Sequence, residues 1–163
     1  MTIAKNGGRE IALDVLTEVL ENGAFVHVAL SRALFKYQYL EKQERAFITR
    51  LVDGTVERLL PVDEALSRCS STPVKKMKPL IRTLLRMSAY QILFMDRVPD
   101  SAVCNEAVKL VAKRKFAGLK GFVNGVLRSL SRRKAEFAFE EPYLKYSMPQ
   151  WLISRWEKEY GSE

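Results

Sequence analysis

The sequence predicts an all-α fold, on two observations. Apolar residues recur at three- and four-residue spacing through most of the chain, and no stretch alternates apolar with polar residues as a strand would. The prolines and two turn-forming pairs, Asn22-Gly23 and Ala117-Gly118, fall where one periodic stretch gives way to the next. With 163 residues, 47% of them hydrophobic, one compact domain can bury its own core without staples.

The first helix runs from Arg9 to Glu21, with Ile11, Ala12, Val15, Leu16, Val19 and Leu20 on one stripe. A shorter helix from Val26 to Phe35 follows. A third begins near Glu41 and aligns Phe47, Leu51, Val52, Val56 and Leu59. Pro61 has no backbone N–H to donate and so fits a first turn; it opens a short fourth helix reaching Cys69. Ser70-Ser71-Thr72-Pro73 reads as a loop. Pro79 then starts a strong fifth helix with Ile81, Leu84, Leu85, Ile92 and Met95 in the core. Val98-Pro99 ends that pattern, and the side-chain oxygen of Asp100 or Ser101 caps a sixth helix that buries Val103, Ala107, Leu110 and Val111. The seventh, Leu119 to Lys134, buries Leu119, Phe122, Val123, Val126, Leu127 and Leu130. Beyond it, Ser147-Met148-Pro149 opens an extra C-terminal helix with Leu152, Trp156 and Tyr160 on one face. These divide the chain into a helical domain over 1–138 and a linker with a further helix over 139–163.

Several function classes are excluded by composition. The strongly apolar stretch Met87–Met95 is far shorter than the roughly 20 residues of a membrane-spanning helix, and MTIAKNGGRE holds no signal-peptide core. We expect a cytoplasmic protein without a membrane partner. Cys69 and Cys104 are 35 residues apart, matching neither a metal knuckle nor a redox pair, and both read as reduced thiols. The single histidine, His27, reads as a partly buried packing residue. No catalytic residue, metal site or glycine-rich phosphate loop emerges.

The formal charge of +8 is unevenly spread. Residues 1–60 carry eight basic and eight acidic side chains, whereas Lys75 to Lys134 carries fifteen basic against three acidic. Such a block suits a polyanion, and nucleic acid is the commonest one in a cell. Lys78, Arg82 and Arg86 stand four apart and stack into a ridge, preceded by Lys75 and Lys76. Lys109 and Lys113 repeat the spacing, Arg114 and Lys115 follow, and Lys120, Arg128, Arg132 and Arg133 extend the series. Lys5 and Arg9 complete the candidate cations at the N-terminus.

Two polar insertions stand out, Asn105-Glu106 and Asn124-Gly125. Asparagine and glycine are poor helix-interior residues, so each calls for a compensating role. A hydrogen bond between helices or a close backbone approach at Gly125 is the expected one. Glu106 has no second carboxylate with an evident reason to lie beside it, so an acid–base pair is not expected.

The segments LVDGTVERLLPVDEAL, IRTLLRMSAYQILFM, NEAVKLVAKRKF and GFVNGVLRSLSRR, in that order, resemble the NusB family from about Arg9 to Lys134. The resemblance implies a seven-helix bundle that binds RNA. The tail PYLKYSMPQWLISRWEKEYG resembles the continuation in the Sun or RsmB type of small-subunit rRNA cytosine-5 methyltransferase, where a NusB-like domain precedes the catalytic part. The implied partners are ribosomal RNA and a methyltransferase domain in cis. No cofactor is expected in this chain, and S-adenosylmethionine is implied for the full-length protein. That family's attacking cysteine lies in a Pro-Cys motif, whereas here Cys69 follows Arg68 and Cys104 follows Val103. NusB proteins begin with an arginine-rich turn, of which only Lys5 and Arg9 around Gly7-Gly8 correspond here. That leaves either an RNA face shifted toward Lys75–Lys134 or a weaker N-terminal site. The competing readings are a free-standing antitermination factor acting through RNA and a ribosomal protein, and a purely structural helical domain.

Overall fold

The computed structural model describes residues 7–137, and these form seven α-helices with no strand among the described residues. The helices are α1 (Gly8–Leu20), α2 (Val26–Lys36), α3 (Lys42–Glu57), α4 (Leu59–Cys69), α5 (Pro79–Phe94), α6 (Asp100–Lys113) and α7 (Lys120–Arg133). Short 3-10 turns at Val74–Lys76, Ala117–Leu119 and Lys134–Glu136 punctuate them. Lys5 and the helix expected after Pro149 lie outside the described residues.

The organising element is α5. A helix with one apolar stripe buries one side, but α5 buries residues around most of its circumference, from Ile81 through Leu84, Leu85, Met87 and Ala89 to Ile92. It packs against α1 and α3 on one side and α4, α6 and α7 on the other, so two groups of helices share it as a common core. Two of its buried polar side chains donate within the helix: Thr83 Oγ1 to the Pro79 carbonyl at 2.8 Å and Gln91 Nε2 to that of Met87 at 3.2 Å.

Where α3 crosses α5, Gly54 is required. A Cβ there would fall inside the van der Waals envelope of the Tyr90 ring, which stacks in turn on Phe94.

The observed ends differ from expectation by small, explicable steps. α4 begins at Leu59, placing Pro61 two residues into the helix, still within the first turn where no intrahelical N–H is needed. On α3, Ile48, Leu51 and Val52 form the buried face, while Phe47 and Val56 flank it, as do Leu119 and Phe122 near the start of α7. Neither Asp100 nor Ser101 caps α6 through its side chain. Pro99 is the N-cap, and Asp100 instead accepts from Ser131 Oγ at 2.6 Å and pairs with Lys134 at 3.1 Å, tying the start of α6 to the end of α7. His27 is exposed rather than partly buried. Phe25, Val28, Phe35 and Tyr39 on and beside α2 are also exposed.

Candidate nucleic-acid interface

The cations of the basic block do not form one surface. Remote carboxylates claim several of them, most of all at the two ends of α1.

At the N-terminal end of α1, Glu10 is buried and accepts from Lys113 Nζ at 2.5 Å and Arg114 Nε at 2.8 Å. Arg114 also reaches Asp14 at 2.6 Å. Burial alone would raise the Glu10 pKa, but the hydrogen bonds and charges of Lys113 and Arg114 outweigh it and hold the carboxyl below the usual range. Arg9 turns inward, with Nε donating to Gln91 Oε1 at 2.9 Å and the guanidinium 5.3 Å from the centre of the Phe47 ring. Burial lowers the Arg9 pKa, opposed by the charge of Glu106.

At the other end of α1, Glu21 receives Arg82 Nη2 at 2.5 Å and Nε at 2.7 Å. Arg82 hydrogen bonding lowers the Glu21 pKa against the effect of burial. Arg86 grips Asp63 with two bonds, 2.8 and 2.9 Å. The ridge expected on α5 is therefore not an open one: of its three cations, Arg82 and Arg86 are sunk into ion pairs and Lys78 alone is exposed. The acids that claim them lie on or just after α1 and on α4, 61 and 23 residues away in sequence. Arg133 is likewise occupied, by Glu136 and by the Arg68 carbonyl.

The remaining candidates point outward. Lys109, Lys115, Lys120 and Arg132 are exposed, as are Lys75, Lys76 and Lys78 on the turn before α5. Two hollows meet near Lys109. One, of about 240 Å³, lies at the start of α1 and is lined by Gly7, Gly8, Arg9, Glu106, Lys109 and Lys113, with Glu10 and Leu110. The second, a shallow groove of about 580 Å³ between α6 and α7, is lined by Asn105, Val108, Lys109, Lys120, Gly121, Asn124 and Arg128. Lys109 lines both, so the two hollows place Arg9, Lys113, Lys109, Lys120 and Arg128 in succession from the α1 N-terminus across α6 to α7, a cation-lined track in outline. The first N–H groups of α1 open at its start, because Gly7 caps the helix without a side chain.

The polar insertions take their meaning from this track. Asn105 is exposed on its rim, and Asn124 accepts from Arg128 Nε at 3.3 Å within α7 rather than across helices. A Cβ on Gly125 would meet no atom within 4 Å, so the expected close backbone approach is absent; the same holds for Gly121. Gly121 and Asn124 leave the α7 side of the groove low and polar, while Gly125 lies outside its lining. Sequence reasoning flagged Asn105, Asn124 and Gly125 as misfits but passed over Gly121, whose position just inside a predicted helix start drew no attention.

Glu10 and Glu106 line the same hollow, a juxtaposition the sequence did not suggest. Glu10 is held ionised by two cations and is poorly placed to take or give a proton near neutral pH. Cys104 is buried, and burial pushes its thiol pKa up, the opposite of an activated nucleophile. No group of histidine, cysteine or acidic residues suited to a metal ion occurs among the described residues. No described helix is long and apolar enough to cross a membrane.

The described residues form a helical bundle with two cation-lined hollows that share Lys109. The chain belongs to the NusB family, whose profile matches residues 7–132. It is 35% identical over 165 aligned positions to a probable ribosomal RNA small subunit methyltransferase B of Bacillus subtilis, covering 98% of this chain and 36% of that protein. It is 34% identical to the ribosomal RNA small subunit methyltransferase B of Thermus thermophilus, over 94% of this chain and 36% of the relative. The chain thus spans about a third of the length of these relatives. Among solved structures, NusB in a complex of the antitermination factors NusB and NusE with double-stranded RNA superimposes with a TM-score of 0.71 at 22% identity. That match covers 81% of this chain and 98% of the other. A NusB from T. maritima gives 0.68 at 23%, over 79% and 94%. Identities at this level establish the fold.

Proposed function

We propose that this chain is the RNA-binding, substrate-positioning domain of an S-adenosylmethionine-dependent rRNA cytosine-5 methyltransferase. It holds ribosomal RNA along the track from the α1 N-terminus to α7, in the cytoplasm. The observation that carries the reading is the sharing of Lys109 between the two hollows, which turns scattered lysines into one path for a phosphate backbone. Lys115 and Lys120 extend the path around the turn between α6 and α7, with Arg128 on its far wall.

The methyltransferase relatives support the second half of the reading. The family profile ends at residue 132, whereas similarity to the Bacillus subtilis protein takes in 98% of the chain and so continues past it. This favours a methyltransferase context over a free-standing antitermination factor. The catalytic chemistry and its cofactor belong to the downstream domain in cis, and residues 139–163 lead into it.

Fluorescence titration with an rRNA hairpin tests the reading. We expect affinity that falls steeply with salt, and a further loss on reversing Lys109 or Lys120 to glutamate. Lys109 pairs with Glu106 at 3.3 Å in an exposed ion pair, so its reversal should leave the fold intact. Binding that ignores both reversals would overturn the proposal. Incubated with rRNA and labelled S-adenosylmethionine, the chain alone is expected to transfer no methyl group.

A further inference from the structure

The segment Pro73–Pro79 holds three lysines within four residues, and its construction differs from that of a solvated helix face. Lys76 N–H donates to the Pro73 carbonyl at 2.9 Å and Met77 N–H to that of Val74 at 3.1 Å, closing a 3-10 turn. Proline fixes φ at both ends, Pro79 being the first residue of α5. The Met77 side chain is buried in the core, while Lys75, Lys76 and Lys78 on either side of it are exposed.

Arg82 supplies a second restraint. Its Nη1 donates to the carbonyls of Lys75 at 3.1 Å and Met77 at 3.2 Å, while Nε and Nη2 are held by Glu21. The guanidinium fastens the turn to the end of α1. Acidic residues line the adjacent groove of about 750 Å³, but each is matched by an arginine: Glu21 by Arg82, Asp63 by Arg86 and Glu64 by Arg68. The charge of the three lysines is therefore not cancelled by the groove beside them.

We infer that this braced tri-lysine turn is a second phosphate-backbone contact, separate from the track at the α1 N-terminus. The domain then holds one RNA at two points. The inference rests on the RNA-binding reading above. Glu10 and Glu21, which mark the two ends, are eleven residues apart, or roughly 16 Å along the helix axis. A structured RNA crossing the domain therefore meets cations at both ends of α1. A backbone already fixed in place lowers the ordering cost of binding, which a flexible lysine loop would not.

The test compares two sets of substitutions in the full chain. One is Lys75→Gln, Lys76→Gln and Lys78→Gln together; the other is Lys109→Gln, Lys115→Gln and Lys120→Gln. The probe is a fluorescein-labelled RNA hairpin with a stem of about 16 base pairs, titrated across a salt series. Each lysine contacting a phosphate contributes about one unit to the slope of log affinity against log salt, so either triple variant should flatten it by about 2 to 3 units. The two losses should add in the combined variant. If only the α6–α7 set changes the slope, the second contact is overturned and the RNA track stands. If neither set changes it, the RNA-binding reading fails together with this one. Unchanged thermal unfolding of the variants, expected for exposed side chains, excludes misfolding as the cause.

Discussion

The two ends of α1 are built alike and used differently. Each places a largely buried glutamate against cations distant in sequence: Glu10 against Lys113 and Arg114, Glu21 against Arg82 and Arg86. At the Glu21 end the arginines are sunk, with side chains 21% and 14% exposed, and they brace the fold. At the Glu10 end Lys113 stays half exposed, beside a Lys109 that is 74% exposed. A cation counted in the sequence reaches the surface field only if no acid elsewhere in the chain folds onto it.

The comparison can be broken first at Glu21. Its side chain is 9% exposed, and its removal takes a charge partner from two arginines that are themselves sunk in the fold. Glu21→Ala should cost about 2 to 3 kcal/mol in urea unfolding. Glu10→Ala should cost less, about 1 to 2 kcal/mol, because Lys113 is half exposed and Arg114 keeps Asp14. Equal losses would mean that both ends are braces and that the distinction between them is wrong. Between the ends, Gly54→Ala forces a methyl group into the Tyr90 ring and should cost about 1 to 3 kcal/mol, measured in the same way.

Acid should dissolve both clamps. The folded-state pKa values of Glu10 and Glu21 are depressed, so the stability they confer is complete above the unfolded-state value of about 4.3 and is lost as pH falls through the lower folded values. Urea midpoints should drop on acidification below about pH 4.3 in the parent and drop less in either alanine variant.

The smallest expected effect sharpens the functional side. Lys115 adopts φ +69°, a left-handed conformation at the end of α6 in which glycine is unstrained. Lys115→Gly should relieve up to about 1 kcal/mol of strain, offset in part by added freedom in the unfolded chain, while weakening RNA binding. A variant whose affinity is unchanged would remove Lys115 from the track.

Much of the bundle was legible in the sequence because helix spacing and proline placement are local properties. The expected second helix, Val26 to Phe35, differs from the observed one by a single residue. The partition of the cations was not legible. Arg114 finds Glu10 across 104 residues and Arg82 finds Glu21 across 61, and no local pattern encodes such pairings. Gly54 gave no signal for the same reason, since its need arises from Tyr90 on another helix. Asn105, Asn124 and Gly125 were visible as misfits, but periodicity alone did not separate a structural compensation from an open groove.

The central position of α5 bears on how the chain is made. Helices α1 to α3 emerge from the ribosome before the helix that covers them, because α5 ends 37 residues after α3 does. At roughly 5 to 20 residues per second, their apolar faces wait about 2 to 7 seconds for that cover. A nascent chain stalled with Cys69 just clear of the ribosome should therefore expose hydrophobic surface and be sensitive to protease, whereas one with Phe94 clear of it should gain protection as α5 docks.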